Sequence, residues 1–274
     1  MVIKEAFRKA RDILKKAGIE SADFEAKCLL KDIFGLSPNS QEEFKEADKL
    51  FALAHRRAEG YPLQYLIGNW DFYDITLIVG EGVLIPRGDT EILVDLSLDF
   101  LKNKENIRVL DLCSGTGAIP LAISNKVKGE YFAVEKEEKA FYYLEKNNEK
   151  YSSPLKLCKA DVLNSGFVDS LEGNFDLITA NPPYLTAEDM RSLQKEVEFE
   201  PSSALFGGED GLLFYKEISR LYFSKLKVGG AIIFEIGSTQ SEAVSEILRD
   251  AGYSSISVFS DFGGNMRAVM AYRL

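Results

Sequence analysis

From about residue 91 onward, short apolar stretches alternate with segments of helix length, and this alternation restricts the possible folds more than any other feature. Five stretches separated in this way predict βαβ units in a parallel sheet. Two further stretches follow each other closely and predict an antiparallel pair at one edge. The predicted strands are Arg108–Leu112, Tyr131–Val134, Leu155–Cys158, Asp176–Ala180, Ala231–Ile236, Ser255–Phe259 and Arg267–Tyr272. The sequence therefore predicts an α/β fold with a Rossmann-like, mainly parallel sheet.

The residues before this region predict two other kinds of structure. Apolar residues recur at spacings of three and four in the runs 3–17, 24–34 and 44–58, which is typical of short helices that bury one face. Short loops between them predict a small helical bundle. The next segment is rich in aromatic and β-branched residues and predicts a β-hairpin. The expected organisation is a helical domain at 1–62, a hairpin linker at 63–90 and the sheet domain at 91–274.

Composition excludes several classes of function. The net charge of −10 is unfavourable for general binding of phosphate backbones. One histidine, His55, rules out a His-rich metal site and disfavours a Ser-His-Asp triad, and His55 itself is expected on the surface. Three widely spaced cysteines give neither a disulfide framework nor a Cys-x-x-Cys metal site. No apolar stretch has the ~20 residues that a membrane span needs, so a cytoplasmic protein without metal or membrane contacts is expected.

A glycine loop follows the first strand of the predicted sheet. In Asp111–Gly117, the glycines allow the backbone to approach a ligand at the carboxyl end of the sheet. A dinucleotide or S-adenosylmethionine would fit. Pro120 stands where the dinucleotide fingerprint has its third glycine, and Asp111 suits an ammonium group, which favours S-adenosylmethionine. Glu135 ends the next strand and is placed to bind ribose hydroxyls. Asp161 follows the third strand, where it either meets the adenine or caps a helix. The alternative for the loop is a packing turn.

The tetrapeptide Asn181–Tyr184, with the sequence Asn-Pro-Pro-Tyr, follows the fourth predicted strand. Two prolines stiffen the turn and remove two backbone donors. The Asn181 amide oxygen and the Pro182 carbonyl can accept hydrogen bonds from one NH₂ group, and Tyr184 offers a flat face to a planar amide or base. Such a clamp suits methylation of a planar NH₂ nitrogen without a strong base. A rigid turn without function is the alternative.

Taken together, these segments resemble the HemK/PrmC-type protein-glutamine N5-methyltransferases along essentially the whole chain. This family modifies the glutamine of the Gly-Gly-Gln loop in peptide-chain release factors. Besides the glycine loop and the tetrapeptide, the similar segments are Gly60–Gly68, Val83–Glu91, Glu200–Leu205, Gly207–Leu212, Glu235–Gly237 and Asp261–Arg267.

The resemblance implies a role for each part. The methionine part of S-adenosylmethionine would be bound by Cys113, Ser114, Gly115, Thr116 and Gly117. Glu135 would hold the ribose, and Asp161 and Val162 would flank the adenine. The catalytic residues would be Asn181, Pro182 and Tyr184. With Pro183 they would bind the substrate glutamine, and Asn181 would also touch the cofactor. The helical domain would recognise class 1 release factors. A monomer without stable nucleic-acid binding is expected.

The chain departs from the family pattern at three positions. Cys113 replaces a glycine of the loop, and its side chain is expected to crowd the cofactor and weaken its binding. Gly88 stands where the family usually has proline, which loosens that segment. Glu135 replaces the commoner aspartate, and one extra methylene is compatible with a ribose clamp.

Several polar segments have two possible interpretations. Arg87, Asp89 and Glu91 either order the substrate pocket or begin a helix, with Asp89 or Thr90 as its cap. The loop that contains Glu200-Pro201 and Gly207-Gly208 either covers the site or is a plain surface loop. The basic residues of the helical domain form either a solvated face or a docking surface for an acidic partner; they are Arg8, Lys9, Arg11, Lys15, Lys16, Arg56 and Arg57.

Two other functions share parts of this pattern. An adenine-N6 nucleic-acid methyltransferase would use the same Asn-Pro-Pro-Tyr clamp. It would also need a target-recognition region and a basic groove, which the acidic sequence does not offer. A non-catalytic module that binds S-adenosylmethionine or a nucleotide would not need an intact tetrapeptide. The sequence therefore favours the protein methyltransferase.

Overall fold

The computed structural model describes residues 1–152, 155–261 and 263–274, and the chain divides into two compact units. The first contains Met1–Trp70, Val79–Glu81 and Gln194–Phe199; the second contains Asp71–Ile78, Gly82–Leu193 and Glu200–Leu274. The predicted boundaries after residues 62 and 90 stay predictions. Phe262, in the predicted closing segment, lies outside the described residues. Within the described ranges, no helix combines the length and apolarity needed to cross a membrane.

The first unit is a small helical bundle, as the apolar spacing predicts. Its helices are α1 (Ile3–Lys16), α2 (Ala22–Cys28), which continues into a π-helical turn at Leu29–Ile33, α3 (Ala47–Ala58) and α4 (Leu63–Ile67). The predicted stop at Gly18 is confirmed, since this residue has a φ of +83° just beyond α1. The buried faces form one apolar core that includes Leu14, Leu30 and Leu50.

Arg57 differs from the predicted basic surface of this unit. Its guanidinium is buried, and Nε donates to Glu25 Oε2 at 2.6 Å while Nη2 donates to Glu196 Oε1 at 2.9 Å. A buried arginine needs such partners because an unpaired charge would be strongly destabilising. Arg57 is therefore part of the interior of the unit, whereas Arg56 and His55 are exposed.

The predicted hairpin is shorter than its apolar composition suggests. Its strands are β1 (Asn69–Phe72) and β2 (Ile75–Ile78), joined at Tyr73, which has a φ of +55°. The preceding apolar residues form α4 instead, which ends at Gly68 with a φ of +80°. The segment predicted as a hairpin linker thus begins with a helical turn, because a short apolar run cannot distinguish a buried helical turn from a strand.

The second unit is a seven-stranded sheet in the order β5-β4-β3-β6-β7-β9-β8. Its strands are β3 (Ile107–Leu112), β4 (Gly129–Glu135), β5 (Lys156–Lys159), β6 (Phe175–Ala180), β7 (Leu226–Glu235), β8 (Ser254–Ser260) and β9 (Met266–Tyr272). The first five are parallel, and β9 pairs antiparallel with both β7 and β8. All seven predicted strands and the antiparallel pair are confirmed.

Helices connect these strands. They are α5 (Glu91–Leu101), α6 (Ala118–Ser124), α7 (Glu138–Lys150), α8 (Ser165–Ser170), α9 (Leu213–Tyr222) and α10 (Ser241–Asp250). One core cluster joins the central strands to α9 and α10, with Tyr215, Tyr222 and Phe234 among its fully buried members. Near-continuous burial along β3, β6 and β7 is what a parallel sheet covered on both faces requires.

The strand register decides which loops meet. Leu112 at the end of β3 pairs with Val134 of β4 on one side and with Ala180 of β6 on the other. Ala180 in turn pairs with Phe234 of β7. The glycine loop, Glu135, the tetrapeptide and Glu235 therefore all begin at the same level of one sheet edge.

Candidate active site

The glycine loop turns sharply after β3 through left-handed backbone conformations. Gly115 and Gly117 have φ of +54° and +82°, which glycine adopts without steric cost. Cys113 has a φ of +57°, where a side chain costs roughly 1 kcal/mol or more. Burial and the carboxylates of Glu135, Asp111 and Asp161 raise the pKa of the Cys113 thiol. Residue 113 thus has a backbone conformation that is typical of glycine. Its thiol is neutral and therefore poorly reactive.

Glu135 binds the loop as well as lining the space beside it. Its Oε2 accepts from the Gly115 backbone N–H at 2.9 Å, and its Oε1 accepts from Lys136 and Glu137 at 2.8 and 2.9 Å. Burial raises the pKa of this carboxyl, and the three backbone donors oppose that shift. One carboxylate therefore fixes the loop after β3 and the chain leading into α7.

Asp161 stabilises a turn and not a helix end. Its Oδ1 accepts from the Leu163 N–H at 2.9 Å, and its Oδ2 lies 2.9 Å from Lys136 Nζ. The cap of α8 is Asn164, whose side chain accepts from Phe167. Backbone and Lys136 donors lower the pKa of Asp161 against the effect of burial, so the carboxylate stays ionised.

The tetrapeptide leaves β6 and is fixed by contacts on several sides. Asn181 Nδ2 donates to Thr90 Oγ1 at 3.3 Å. The Tyr184 hydroxyl lies 3.4 Å from Glu235 Oε1, and the Tyr184 carbonyl accepts from Gln240 Nε2 at 3.1 Å. Tyr184 also packs against the core cluster, so much of its ring is already in contact with the protein.

Gly207 allows a second segment to lie directly on this turn. A Cβ at Gly207 would stand 2.6 Å from the Pro183 carbonyl oxygen and 2.7 Å from Tyr184 Cα. At Gly211 it would overlap the Tyr184 carbonyl oxygen. These contacts are with backbone atoms, which cannot be displaced without a cost in free energy. The absence of a side chain at these positions is therefore a condition for this packing.

Two segments that the sequence singled out separately are joined by Glu200. Its buried carboxylate binds Arg87 through Oε1 and accepts from the Ile85 backbone N–H at 3.0 Å through Oε2. The predicted helix start is only partly right. Thr90 precedes α5, but its side chain makes no capping hydrogen bond and instead accepts from Asn181. Arg87 and Thr90 thus order the site, while Glu91 binds the Tyr73 backbone N–H.

These segments enclose a cavity of about 370 Å³ in the second unit. The predicted site residues that line it are Cys113, Ser114, Gly115, Thr116, Glu135, Asp161, Val162, Asn181 and Pro183. Gly117, Pro182 and Tyr184 are not among the residues that line it. The loop after the tetrapeptide contributes Pro201, Ser203, Ala204, Phe206 and Gly208, so the interpretation as a cover of the site is supported. Among the described residues, no group of His, Cys, Asp or Glu is arranged to hold a metal ion.

Sequence reasoning did not give Thr90, Glu200 or Glu235 the contacts that they make in this site. All three lie in segments that the resemblance marked, but no pattern paired Glu200 with Arg87. Glu235 ends the strand next to β6, and an acidic residue at that end of a buried strand is the signal that could have found it.

Two family models match the chain. The model described as the PrmC N-terminal domain matches residues 5–68, and the model described as Conserved hypothetical protein 95 matches residues 98–216. A release factor glutamine methyltransferase from Fusobacterium nucleatum is 36% identical, over 97% of this chain and 78% of the relative. One from Clostridium botulinum is 33% identical over 99% of both chains. One from Corynebacterium glutamicum is 32% identical over the full length of both.

Solved structures share the fold at low sequence identity. The hMettl16 catalytic domain, solved with a MAT2A 3′UTR hairpin, is 17% identical with a TM-score of 0.59, over 92% of this chain and 80% of that one. A ribosomal protein L11 methylase from Lactobacillus delbrueckii is 18% identical with a TM-score of 0.51, over 71% and 83%. These structures show that the sheet has the methyltransferase fold.

Proposed function

The chain belongs to the family of release factor glutamine methyltransferases, and we propose that it methylates the glutamine side chain of the Gly-Gly-Gln motif in class 1 release factors. The methyl group would come from S-adenosylmethionine and be transferred to N5. The observation that carries this proposal is the full-length similarity to the relatives named above, together with the cavity between the glycine loop and Asn181. The relatives do not favour the adenine-N6 alternative.

The cavity residues fit S-adenosylmethionine. The volume of about 370 Å³ is within the range of pockets for small molecules. Asp111, beneath the glycine loop, is 1% exposed, and in the described part of the chain its Oδ2 has no hydrogen-bond partner. A cationic ligand bound over the loop would stabilise the ionised form of this carboxyl group, whose pKa burial raises to about 7. The cofactor would be held by Cys113–Gly117, Glu135, Asp161, Val162 and Asn181, and when bound it supplies an electrophilic methyl group.

Asn181 and Pro182 would hold the substrate amide. The lone pair of an amide nitrogen is delocalised, so the nitrogen becomes nucleophilic only when it pyramidalises. Asn181 Nδ2 is engaged by Thr90, which leaves Oδ1 to accept an N–H of the glutamine. The Pro182 carbonyl would accept the other N–H. Two fixed acceptors stabilise the developing positive charge on nitrogen, and the proton lost from the methylated amide can pass to water.

Tyr184 and the first unit have supporting roles in this proposal. The hydrogen bonds from Tyr184 to Glu235 and from Gln240 to Tyr184 keep the end of the turn in place. Stacking of Tyr184 on the substrate remains a prediction, as do recognition of the release factor by the helical unit, a monomeric state and a cytoplasmic location. The last of these follows from a substrate that acts in translation.

The experiment uses S-adenosylmethionine with a labelled methyl group. The protein is incubated with a purified release factor, with the same factor carrying Gln→Ala in the Gly-Gly-Gln loop, and with duplex DNA. Mass spectrometry then locates the label. Label on the loop glutamine, and none on the variant, is expected. Label on adenine would overturn the protein substrate, and label elsewhere on the release factor would overturn the assigned position.

A further inference from the structure

The side chain of Asn181 is bound at its nitrogen end. Nδ2 donates to Thr90 Oγ1 at 3.3 Å, and Thr90 is 3% exposed at the wall of the cavity. The two ends of a carboxamide differ, since the oxygen only accepts and the nitrogen only donates. A clamp for an NH₂ group needs the oxygen to face the substrate. Something must therefore prevent the Asn181 amide from turning round.

Thr90 has a second neighbour that supplies this constraint. Its hydroxyl lies against the Glu235 carboxylate, an interaction that lowers the pKa of Glu235. Glu235 is 2% exposed, and within the described ranges its Oε2 has no hydrogen-bond partner, so this buried oxygen is free to accept the Thr90 proton. A hydroxyl has one proton to donate. If Thr90 donates it to Glu235, the Thr90 oxygen is an acceptor towards Asn181 and attracts Nδ2.

The opposite arrangement would disable the clamp. Without an acceptor at Glu235, the Thr90 hydroxyl can donate to the Asn181 oxygen, and the amide then presents its NH₂ end to the substrate. Two NH₂ groups facing each other cannot form the required hydrogen bond. The direction of the Thr90 hydroxyl proton is thus linked to the orientation of the Asn181 carboxamide, which is bonded directly to that hydroxyl.

We propose that Thr90 and Glu235 are positioning residues which hold the Asn181 carboxamide with its oxygen towards the glutamine amide. This inference rests on the proposed function, since it concerns the acceptor side of that reaction. Neither residue is assigned contact with the reacting atoms. Both act through Asn181.

The protonation state of Glu235 determines whether its carboxylate can accept the Thr90 proton, and the groups around Glu235 set that state. The Tyr184 hydroxyl lies 3.4 Å from Oε1, and the Tyr215 hydroxyl donates to the Glu235 backbone carbonyl at 2.9 Å. Arg267 lowers the pKa of Glu235, Asp89 raises it, and burial, the largest influence, raises it to about 7. A protonated Glu235 can donate to the Thr90 oxygen, and the Thr90 hydroxyl then donates to the Asn181 oxygen. Turnover should therefore rise with pH between 6 and 8.

The test compares Thr90→Val, which removes the hydroxyl at nearly constant shape, with Thr90→Ser, which keeps it. Thr90→Val is expected to lower kcat about tenfold or more and to leave the KM for S-adenosylmethionine within about twofold, because orientation and not binding is lost. Thr90→Ser should restore most of kcat and the pH profile. Thr76→Val removes a hydroxyl that binds Asp71, on the hairpin, and serves as the control.

A second readout does not depend on the substrate. In protein labelled with ¹⁵N-asparagine, the Asn181 side-chain NH₂ signal is identified by its absence in Asn181→Ala. Thr90→Val should speed its hydrogen exchange, whereas Thr90→Ser should not. If Thr90→Val changed neither the hydrogen exchange of the Asn181 NH₂ group nor kcat, the proposed positioning of Asn181 would be overturned. A wild-type enzyme that leaves release factors unlabelled would overturn the proposed function instead, and the exchange measurement would still decide on the proposed positioning.

Discussion

The Glu135 carboxylate accepts a hydrogen bond from the Gly115 backbone N–H at 2.9 Å, and so joins the end of β4 to the loop after β3. Its other oxygen accepts from Lys136 and Glu137. Glu135 also lines the cavity. The Glu135 side chain thus fixes the conformation of the loop and also lines the space proposed for the cofactor.

Replacement of Glu135 should therefore weaken binding of S-adenosylmethionine more than the loss of a ribose contact alone would. Charge-assisted hydrogen bonds contribute about 1.5–3 kcal/mol each, so Glu135→Ala is expected to raise the Kd at least about tenfold. Isothermal titration calorimetry measures this. Glu138→Ala, which removes a nearby exposed carboxylate, is the matched control. An unchanged Kd in Glu135→Ala would remove this residue from the site.

Asn181→Ala should affect turnover more than cofactor binding. The substitution removes one of two proposed acceptors for the substrate amide, and loss of such a group costs on the order of a hundredfold in kcat. Steady-state kinetics with a release factor, together with the Kd for S-adenosylmethionine, separates the two effects. Asn125→Ala removes an exposed amide that binds Asp74 and should change neither. Wild-type turnover in Asn181→Ala would contradict the clamp.

The left-handed backbone at Cys113 predicts an unusual order of stability. Glycine accepts a φ of +57° freely, whereas alanine pays the same steric cost as cysteine and also loses the Sγ contacts. Cys113→Gly should therefore be more stable than Cys113→Ala by about 1 kcal/mol in urea unfolding. The reverse order would show that the position is not strained. If the thiol crowds the cofactor, Cys113→Gly should also bind S-adenosylmethionine more tightly.

Gly207→Ala should impair catalysis although residue 207 is not proposed to touch the substrate. The added Cβ would meet backbone of Pro183 and Tyr184 at 2.6–2.7 Å, so the tetrapeptide must shift. A displacement of several tenths of an ångström at the clamp should lower kcat roughly tenfold or more. At Gly88, a Cβ would meet nothing within 4 Å, and Gly88→Ala is the control. Equal kcat values for both variants would contradict the idea that packing of Gly207 against the tetrapeptide positions the clamp.

Asp111 predicts a pH dependence of stability. Burial raises its pKa to about 7, whereas in the unfolded chain it ionises near its ordinary value. Between these values the unfolded state has lost a proton that the folded state keeps, so the free energy of unfolding falls as pH rises. The total is on the order of 4 kcal/mol at most.

Asp111→Asn has no titrating group and can still accept from the Thr179 hydroxyl. Its stability relative to wild type should therefore increase between pH 4 and pH 7. Urea unfolding of both proteins at several pH values measures the difference. Parallel curves would mean that Asp111 is ionised in the folded protein throughout this range.

Local patterns were sufficient for most of the fold. The alternation of apolar stretches and helix-length segments specified the five parallel strands, because parallel strands that are covered on both faces are largely apolar. Two closely spaced apolar stretches specified the antiparallel pair. The apolar run at 63–67 is helical within the segment predicted as a hairpin linker, since its composition is compatible with either element and only packing in the helical unit selects the helix. Arg57 has the sequence context of a surface residue, yet Glu25 and Glu196, distant in the chain, make its burial possible.

By itself, the sequence determined the class of fold, the glycine loop and the rigid tetrapeptide, because each depends on residues that are neighbours in the chain. Only the tertiary structure decided which partners these segments have. The register of β3 with β4 and β6 brings the loop, Glu135 and Asn181 to one level. Thr90 binds Asn181 from a position 91 residues before it, and Glu235 binds Tyr184 from a position 51 residues after it. Hydrogen bonds across such separations depend on how the strands pair and pack, which no local pattern of residues encodes.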